Sequence, residues 1–255
     1  MLKDLKDDIL TRFPSLGIYK RYFSALLDSC LSTKTTYSQH AEDKYLSVCL
    51  NNYDLTDAIY IDIGSNHPTS ISNTYLFYRM GLHGVAIEPN SELTRLHRIF
   101  RPNDIILGIG CGNQSTLGRF EVGKAPVLSH FYSNEIRSQA SEKLGFKHWR
   151  TEYIPILPVD SILTEIKHDW IFFLSVDVEG LDFEVLQGAK QTLKKVLFIC
   201  VEANNESEAK KIEYFLAEQG FVLKHEIQCN MLFLNKSNRF EQYKKVAVQP
   251  DLLAI

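Results

Sequence analysis

The chain has 255 residues, 45% of them apolar and 23% charged. That is the balance of a folded water-soluble domain, with length for one α/β unit and a sizeable core. A net charge of −3 offers no basic stripe for nucleic acid, and no run reaches the roughly 18 apolar residues of a membrane span. The five cysteines (Cys30, Cys49, Cys111, Cys200, Cys229) are odd in number, scattered and without a C-x-x-C pair, as expected of reduced thiols. The start, Met1 to Asp8, is mixed in charge and has no signal-peptide apolar region, so a cytoplasmic location is expected.

Leu2, Leu5, Ile9 and Phe13, then Tyr22, Leu26 and Leu27 beyond Pro14, fall at helical spacing. They predict an N-terminal cap or a partner-binding helix within residues 1–50. A helix over 41–50 leads into a strand at 58–63. Helix signals near 70–80 and 91–100 alternate with strands near 84–88 and 104–109, and a further strand is expected at 117–122. The polar, aromatic-bearing stretch 123–152 has no clear period. Tyr153 to Leu157 is extended, because Pro155 and Pro158 exclude a helix interior. Trp170 to Val176 is a continuous apolar run, as in a strand covered on both faces. An amphipathic helix is expected from Leu181 to Lys195, a buried strand from Val196 to Val201, and a helix over 206–218 stopped by Gly220. The runs 221–227 and 231–235 are joined too closely for a crossover and predict a hairpin. The tail after Lys236 reads as surface. Residues 51–240 thus form the main domain and 241–255 a tail.

Two turns carry chemistry. Tyr60-Ile61-Asp62-Ile63-Gly64-Ser65-Asn66 ends an apolar run in a glycine, which lets backbone approach a ligand. Val85-Ala86-Ile87-Glu88-Pro89-Asn90 ends the next run in an acid, 24 residues beyond Gly64. An acid there suits ribose hydroxyls, or a helix first turn favoured by the dipole. Neither G-x-G-x-x-G nor a phosphate loop is present, so S-adenosylmethionine fits better than NAD or ATP. Gly64, Ser65, Asn66 and Glu88 are cofactor-binding candidates. Asp62 either joins them or bonds the amides of its own turn.

Ser38-Gln39-His40-Ala41-Glu42-Asp43 resembles the S-Q-x-x-E-D lead-in of FkbM-type S-adenosylmethionine-dependent methyltransferases. Asp62 to Pro68, Ser72-Asn73-Thr74-Tyr75 and Gly84 to Asn90 resemble that family's cofactor half. Ser175-Val176-Asp177-Val178-Glu179-Gly180, with Glu184 to Gly188, resembles its D-x-E-G block. The resemblance covers residues 36–235. It implies an α/β, Rossmann-like class I methyltransferase sheet of seven strands, with helices on both faces and an antiparallel C-terminal hairpin strand. It also implies O-methylation, with Gln39 at the amino-acid end of the cofactor. Gly108 to Asn113 is richer in glycine than the family pattern; Cys111 in it is the candidate on the adenine side. Residues 123–152 match no family block and are the expected acceptor-binding insertion.

Transfer of a methyl group from a sulfonium needs an aligned acceptor and a base. Asp177 and Glu179 follow the fourth strand of the sheet, and His67 follows the Gly64 turn; these are the catalytic candidates, with His40 a weaker one. Alternatively, Asp177 and Glu202, with Asn204 and His225, could hold Mg²⁺ or Mn²⁺ against vicinal sugar hydroxyls. In the plainest reading Glu179 and Glu202 merely cap the helices that follow them. His130, His148 and Trp149 are candidates for an acceptor pocket, and Lys143, Lys147 and Arg150 for a diphosphate. The expected partner is a small molecule, a sugar or nucleotide-activated sugar used for surface polysaccharide or a glycosylated metabolite; the oligomeric state is open, a homodimer included. Two other readings remain: a scaffold that keeps the cofactor pocket without turnover, and an NAD-dependent oxidoreductase.

Overall fold

The computed structural model describes residues 35–124, 129–132 and 146–245. The N-terminal cap expected over 1–30 lies outside them. Helix α1 (Glu42–Leu50) leads into β1 (Ala58–Ile63), and α2 (Tyr75–Arg79), β2 (Gly84–Ile87), α3 (Ser91–Phe100) and β3 (Ile105–Leu107) follow. After an excursion described below come α4 (Val159–Thr164), β8 (Trp170–Val176), α5 (Asp182–Gln187), α6 (Lys190–Leu193), β9 (Val196–Glu202), α7 (Glu206–Glu218), β10 (Phe221–Ile227) and β11 (Asn230–Asn235).

These strands make one seven-stranded sheet in the order β10-β11-β9-β8-β1-β2-β3. β11 alone runs against its neighbours, pairing antiparallel with both β9 and β10. All seven residues of β8 are buried, which is why its apolar run is unbroken: helices cover both faces of a parallel sheet. On one face Ile61, Leu174, Ile199, Val185 and Leu216 form a core. On the other, Tyr60, Phe77, Phe172, Trp170 and Leu232 pack with Leu46 of α1. Among the described residues no helix is long and apolar enough to cross a membrane.

Three expectations change. The helix expected from Leu181 to Lys195 is two short ones, broken at Gly188, where an added Cβ would lie 2.0 Å from the Gly112 carbonyl oxygen. The region after β3 builds a second sheet: β4 (Gly110–Cys111), β5 (Thr116–Gly123), β6 (His130–Phe131) and β7 (His148–Leu157), in the order β4-β7-β5-β6. The extended run at Tyr153 is the end of the ten-residue β7. Finally, the chain beyond Lys236 is not simply surface. A 3-10 helix, Asn238–Tyr243, buries Phe240 and stacks Tyr243 on Trp170, ring centroids 4.5 Å apart.

Candidate active site

The carboxyl ends of β2, β1, β8 and β9 open onto a cavity of about 400 Å³. It lies beside β1, where the chain order of the sheet reverses, the place at which open α/β sheets hold ligands. The second sheet supplies another wall through Cys111, Phe120, His130 and Phe131.

The turn after β1 is fixed by backbone bonds. Gly64 and Ser65 N–H groups donate to the Ile87 carbonyl at 2.9 and 3.1 Å. Gly64 has φ +76°, and a Cβ there would sit 1.8 Å from the Asp177 carbonyl oxygen. The glycine is therefore required by the neighbouring strand end as well as by any ligand. Asn66, at φ +48°, donates its N–H to Glu88 Oε2 at 2.9 Å. Asn90, whose side chain caps α3, donates its N–H to Glu88 Oε1 at 2.7 Å. Each Glu88 oxygen keeps a lone pair beyond these bonds. Burial pushes the Glu88 carboxyl up to about 7, against the pull of those two N–H bonds and with the push of the Asp62 charge.

Asp62 points away from the turn amides. It accepts from the Thr74 hydroxyl and lies 3.8 Å from Arg101 Nη1. Arg101 is wholly buried. Its Nε donates to Asp104 at 2.8 Å and its Nη2 to Tyr60 and Thr74 at 2.8 and 2.7 Å. Burial raises the Asp62 carboxyl and the Arg101 charge opposes that rise. The sequence gives no sign of this role. An arginine ending an amphipathic helix normally reaches into water, and only the fold brings these polar partners to it.

On the opposite side of β1 stand Asp177, Glu179 and Glu202, all lining the cavity. Asp177 follows β8 and Glu202 ends β9, and the parallel register that sets Val176 opposite Val201 makes the two acids neighbours at the cavity. Burial, then the charges of Glu202, Asp182 and Glu179, hold the Asp177 carboxyl well above the usual carboxylate range. Burial and the Glu202 charge push Glu179 to about 7. The helix-capping reading of these acids fails on geometry. Asp182 takes the Val178 and Gly180 N–H groups, both at 3.1 Å. Asn205 caps α7 by accepting from Glu208 N–H, while the Glu208 carboxylate accepts from the N–H of Asn204, the residue before the cap.

Gln39 also lines the cavity, presented by a loop that two buried acids knit together. Asp43 accepts from the Tyr37 N–H at 2.7 Å and the Ser38 hydroxyl at 2.8 Å. Glu42 accepts from His40 N–H at 3.0 Å and from the Asn230 side chain. The acids of the lead-in thus build the loop and leave Gln39 facing the site. Asn204 and His130 are at the cavity as well. Burial pushes the Cys111 thiol up to about 12, so it lines the wall as a neutral group.

Other candidates are placed elsewhere. His67 does not line the cavity; its Nδ1 accepts from Thr69 N–H at 3.4 Å. His225 is exposed and stacks on Tyr45, ring centroids 5.2 Å apart. The hairpin inserts β11 between β9 and β10, which sets His225 two strand spacings, roughly 10 Å, from the strand of Glu202. The cation set Asp177, Glu202 and His225 therefore does not converge, and among the described residues no group of three or more His, Cys, Asp or Glu is placed to hold a metal ion. His148 pairs with Glu121 at 2.9 Å and Trp149 lies under Arg150 at 4.0 Å, both outside the cavity. Arg150 is committed to Glu152 at 2.6 Å and Glu92 at 3.5 Å, and Lys147 is exposed. Lys143 lies outside the described residues.

Residues 62–223, well over half of the chain, match the profile of the Methyltransferase FkbM domain family. The chain belongs to this family. Its fold is similar to that of the FkbM methyltransferase of Methylobacillus flagellatus KT, with a TM-score of 0.50 and 15% identity over 78% of this chain and 48% of that one. The chain thus spans about half the length of that FkbM protein. It is also similar to a precorrin-6y C5,15-methyltransferase of Geobacter metallireducens GS-15 (TM-score 0.42, 12% identity, 81% of this chain and 93% of that one). A third similar structure is the N-terminal domain of human METTL16 in complex with SAH (TM-score 0.41, 10% identity, 76% of this chain and 66% of that one). No curated protein sequence matches the chain. The FkbM family has the class I methyltransferase fold, and the seven strands here have its order.

Proposed function

We propose that this FkbM-family chain is an S-adenosylmethionine-dependent O-methyltransferase that acts on a sugar hydroxyl. The observation that carries the reading is the neighbouring acids Asp177 and Glu202, with Glu179 beside them, facing the Gly64–Glu88 turn across one cavity. When bound, the cofactor supplies an electrophilic methyl group on a sulfonium. The residues present fit it. Buried Asn66 Oδ1 has no hydrogen-bond partner among the described residues and belongs to a cavity-lining side chain. Glu88 offers free lone pairs for ribose hydroxyls, Gln39 a polar group for the amino-acid end, and Ile87, Leu93, Ile109 and Cys111 an apolar wall for adenine.

The acids supply the base. Burial and the neighbouring acids hold the proton on Asp177 well above the usual carboxylate range, because like charges in a poorly hydrated site oppose ionisation. Once ionised, Asp177 is a stronger base than a carboxylate in water, and Glu179, titrating near 7, suits proton removal at neutral pH. A weakly acidic sugar hydroxyl needs such a base. The polar and aromatic acceptor side, with Asn204, His130 and Phe131, suits a sugar ring. The nucleotide-activated form draws on the sequence alone, since Arg150 is committed elsewhere. Use in surface polysaccharide or a glycosylated metabolite remains part of the proposal.

The test is calorimetric titration with S-adenosylhomocysteine, followed by methyl transfer to a panel of sugars and sugar nucleotides. Saturable binding and turnover that Asp177→Asn abolishes, with binding kept, support the reading. Absence of binding, or full turnover in Asp177→Asn, overturns it.

A further inference from the structure

His97, on α3, is wholly buried and takes no part in the chemistry above. Its Nε2 lies 2.9 Å from the Asn66 carbonyl oxygen and 3.2 Å from Ser65 Oγ. A carbonyl oxygen only accepts, so Nε2 carries the hydrogen and Nδ1 carries none. Nδ1 is buried with no partner among the described residues, so a second proton there would be stranded. Asn66 is therefore gripped on both sides: its C=O by His97 and its N–H by Glu88. It is held at φ +48°, a left-handed conformation that is sparsely populated and persists where the surroundings impose it.

We infer that His97 is a positioning residue for the cofactor turn, its neutral imidazole fixing the Asn66 peptide so that the N–H stays on Glu88. The inference rests on the cofactor reading proposed above. Without the imidazole the Asn66 carbonyl loses its partner and the peptide is free to turn. Glu88 then loses one of the two N–H bonds that stabilise its ionised form, and its carboxyl titrates at higher pH. Ribose hydroxyls donate to the ionised form, so binding fades from a higher pH downward. Burial, with the Arg101 charge behind it, keeps the His97 pKa well below its ordinary value, so the residue stays neutral and does not itself titrate in this window.

The experiment is calorimetric titration of the full chain with S-adenosylhomocysteine from about pH 6 to pH 9, for the parent, His97→Leu, His97→Gln and His97→Asn. Thermal unfolding without ligand shows which variants fold. The groups facing Glu88 are Asp62 from β1, Asn66 from the turn and Asn90 from the cap of α3; Glu179 and Asp177 line the same cavity. All of these are the same in every protein, so a shift between variants reads Glu88. His97→Leu is expected to bind about tenfold more weakly near pH 8, with its pH midpoint moved up. A glutamine amide N–H reaches the position of Nε2 and restores both; an asparagine amide is too short and does not. If His97→Leu fails to fold, the Gln and Asn pair decides. Parent-like affinity and midpoint in a folded His97→Leu, or equal behaviour of Gln and Asn, overturns the inference while the cofactor reading stands. A parent that binds no S-adenosylhomocysteine at any pH overturns both.

Discussion

Glu88 makes the protein less stable as pH rises, and the size of the effect follows from its burial. The carboxyl is 5% exposed and titrates at about 7 instead of the ordinary 4.5. The folded state therefore binds the proton more tightly than the unfolded chain. Stability from this group is fully present below about pH 4.5 and is lost as pH rises through 7. A shift of that size is worth about 3 kcal/mol in full, of which about 2–3 kcal/mol falls between roughly pH 5 and pH 8. Glu88→Gln removes this titration. Glutamine keeps one acceptor for the Asn66 or Asn90 N–H and sets an amide N–H against the other, so the variant is less stable near pH 5. The diagnostic quantity is the slope. Urea unfolding of the ligand-free protein at several pH values should show the parent losing about 2–3 kcal/mol more than Glu88→Gln across the interval. Asp177, Asp182 and Glu179 are raised by burial in the same direction, so the parent curve is steeper still, and these contributions persist in the variant. Parallel curves for the two proteins would refute the reasoning, because they would mean that Glu88 is hydrated or ionised throughout.

Arg101→Met removes the cation among Asp104, Asp62 and Tyr60 and should cost about 3–5 kcal/mol in urea unfolding, because it strands buried carboxylates; a loss under about 1 kcal/mol would show the network to be wet. Gly64→Ala places a methyl group 1.8 Å from the Asp177 carbonyl; it should abolish S-adenosylhomocysteine binding and cost at least about 4 kcal/mol if the chain folds, and parent-like binding would contradict the turn as described. Phe240→Ala should lower stability by about 3–5 kcal/mol, since Phe240 is 2% exposed beneath Trp170; an unchanged melting temperature would return this segment to the surface.

The seven-stranded sheet was legible wherever burial leaves its mark on composition. Trp170 to Val176 and Val196 to Val201 are apolar throughout because both faces are covered. The acids at the strand ends stood out against those runs, and the parallel register that pairs Val176 with Val201 sets Asp177 beside Glu202. The second sheet was hidden by its own exposure. β5 and β7 alternate weakly, with Leu117 and Tyr153 more than half exposed, and proline in β7 argued against a long strand. The break at Gly188 depends on the Gly112 carbonyl, which no local window contains. His225 was misjudged because two strands joined by a tight hairpin are neighbours in sequence, whereas β11, not β10, pairs with β9. Arg101 and His97 give no local signal at all: each lies on a helix whose pattern says solvent or core, and only tertiary partners define them.

The same fold sorts five cavity acids by what stands next to each. Asp62 faces Arg101 and a threonine hydroxyl, which favour its charge and hold it in place, so it serves the architecture of the turn. Glu88 faces two backbone N–H groups, which leave it ionisable near neutrality and able to accept from hydroxyls. Asp177 faces other carboxyls, so its ionised form is disfavoured and its basicity raised. Pairs of acids driven apart in this way are the usual basis for assigning base and binding roles in one site. The arrangement costs the empty protein stability at neutral pH, since the raised carboxyls each prefer to be protonated when buried. A cationic sulfonium in the cavity would offset part of that cost, so ligand binding and the stabilisation of the acid cluster are two readings of one electrostatic quantity.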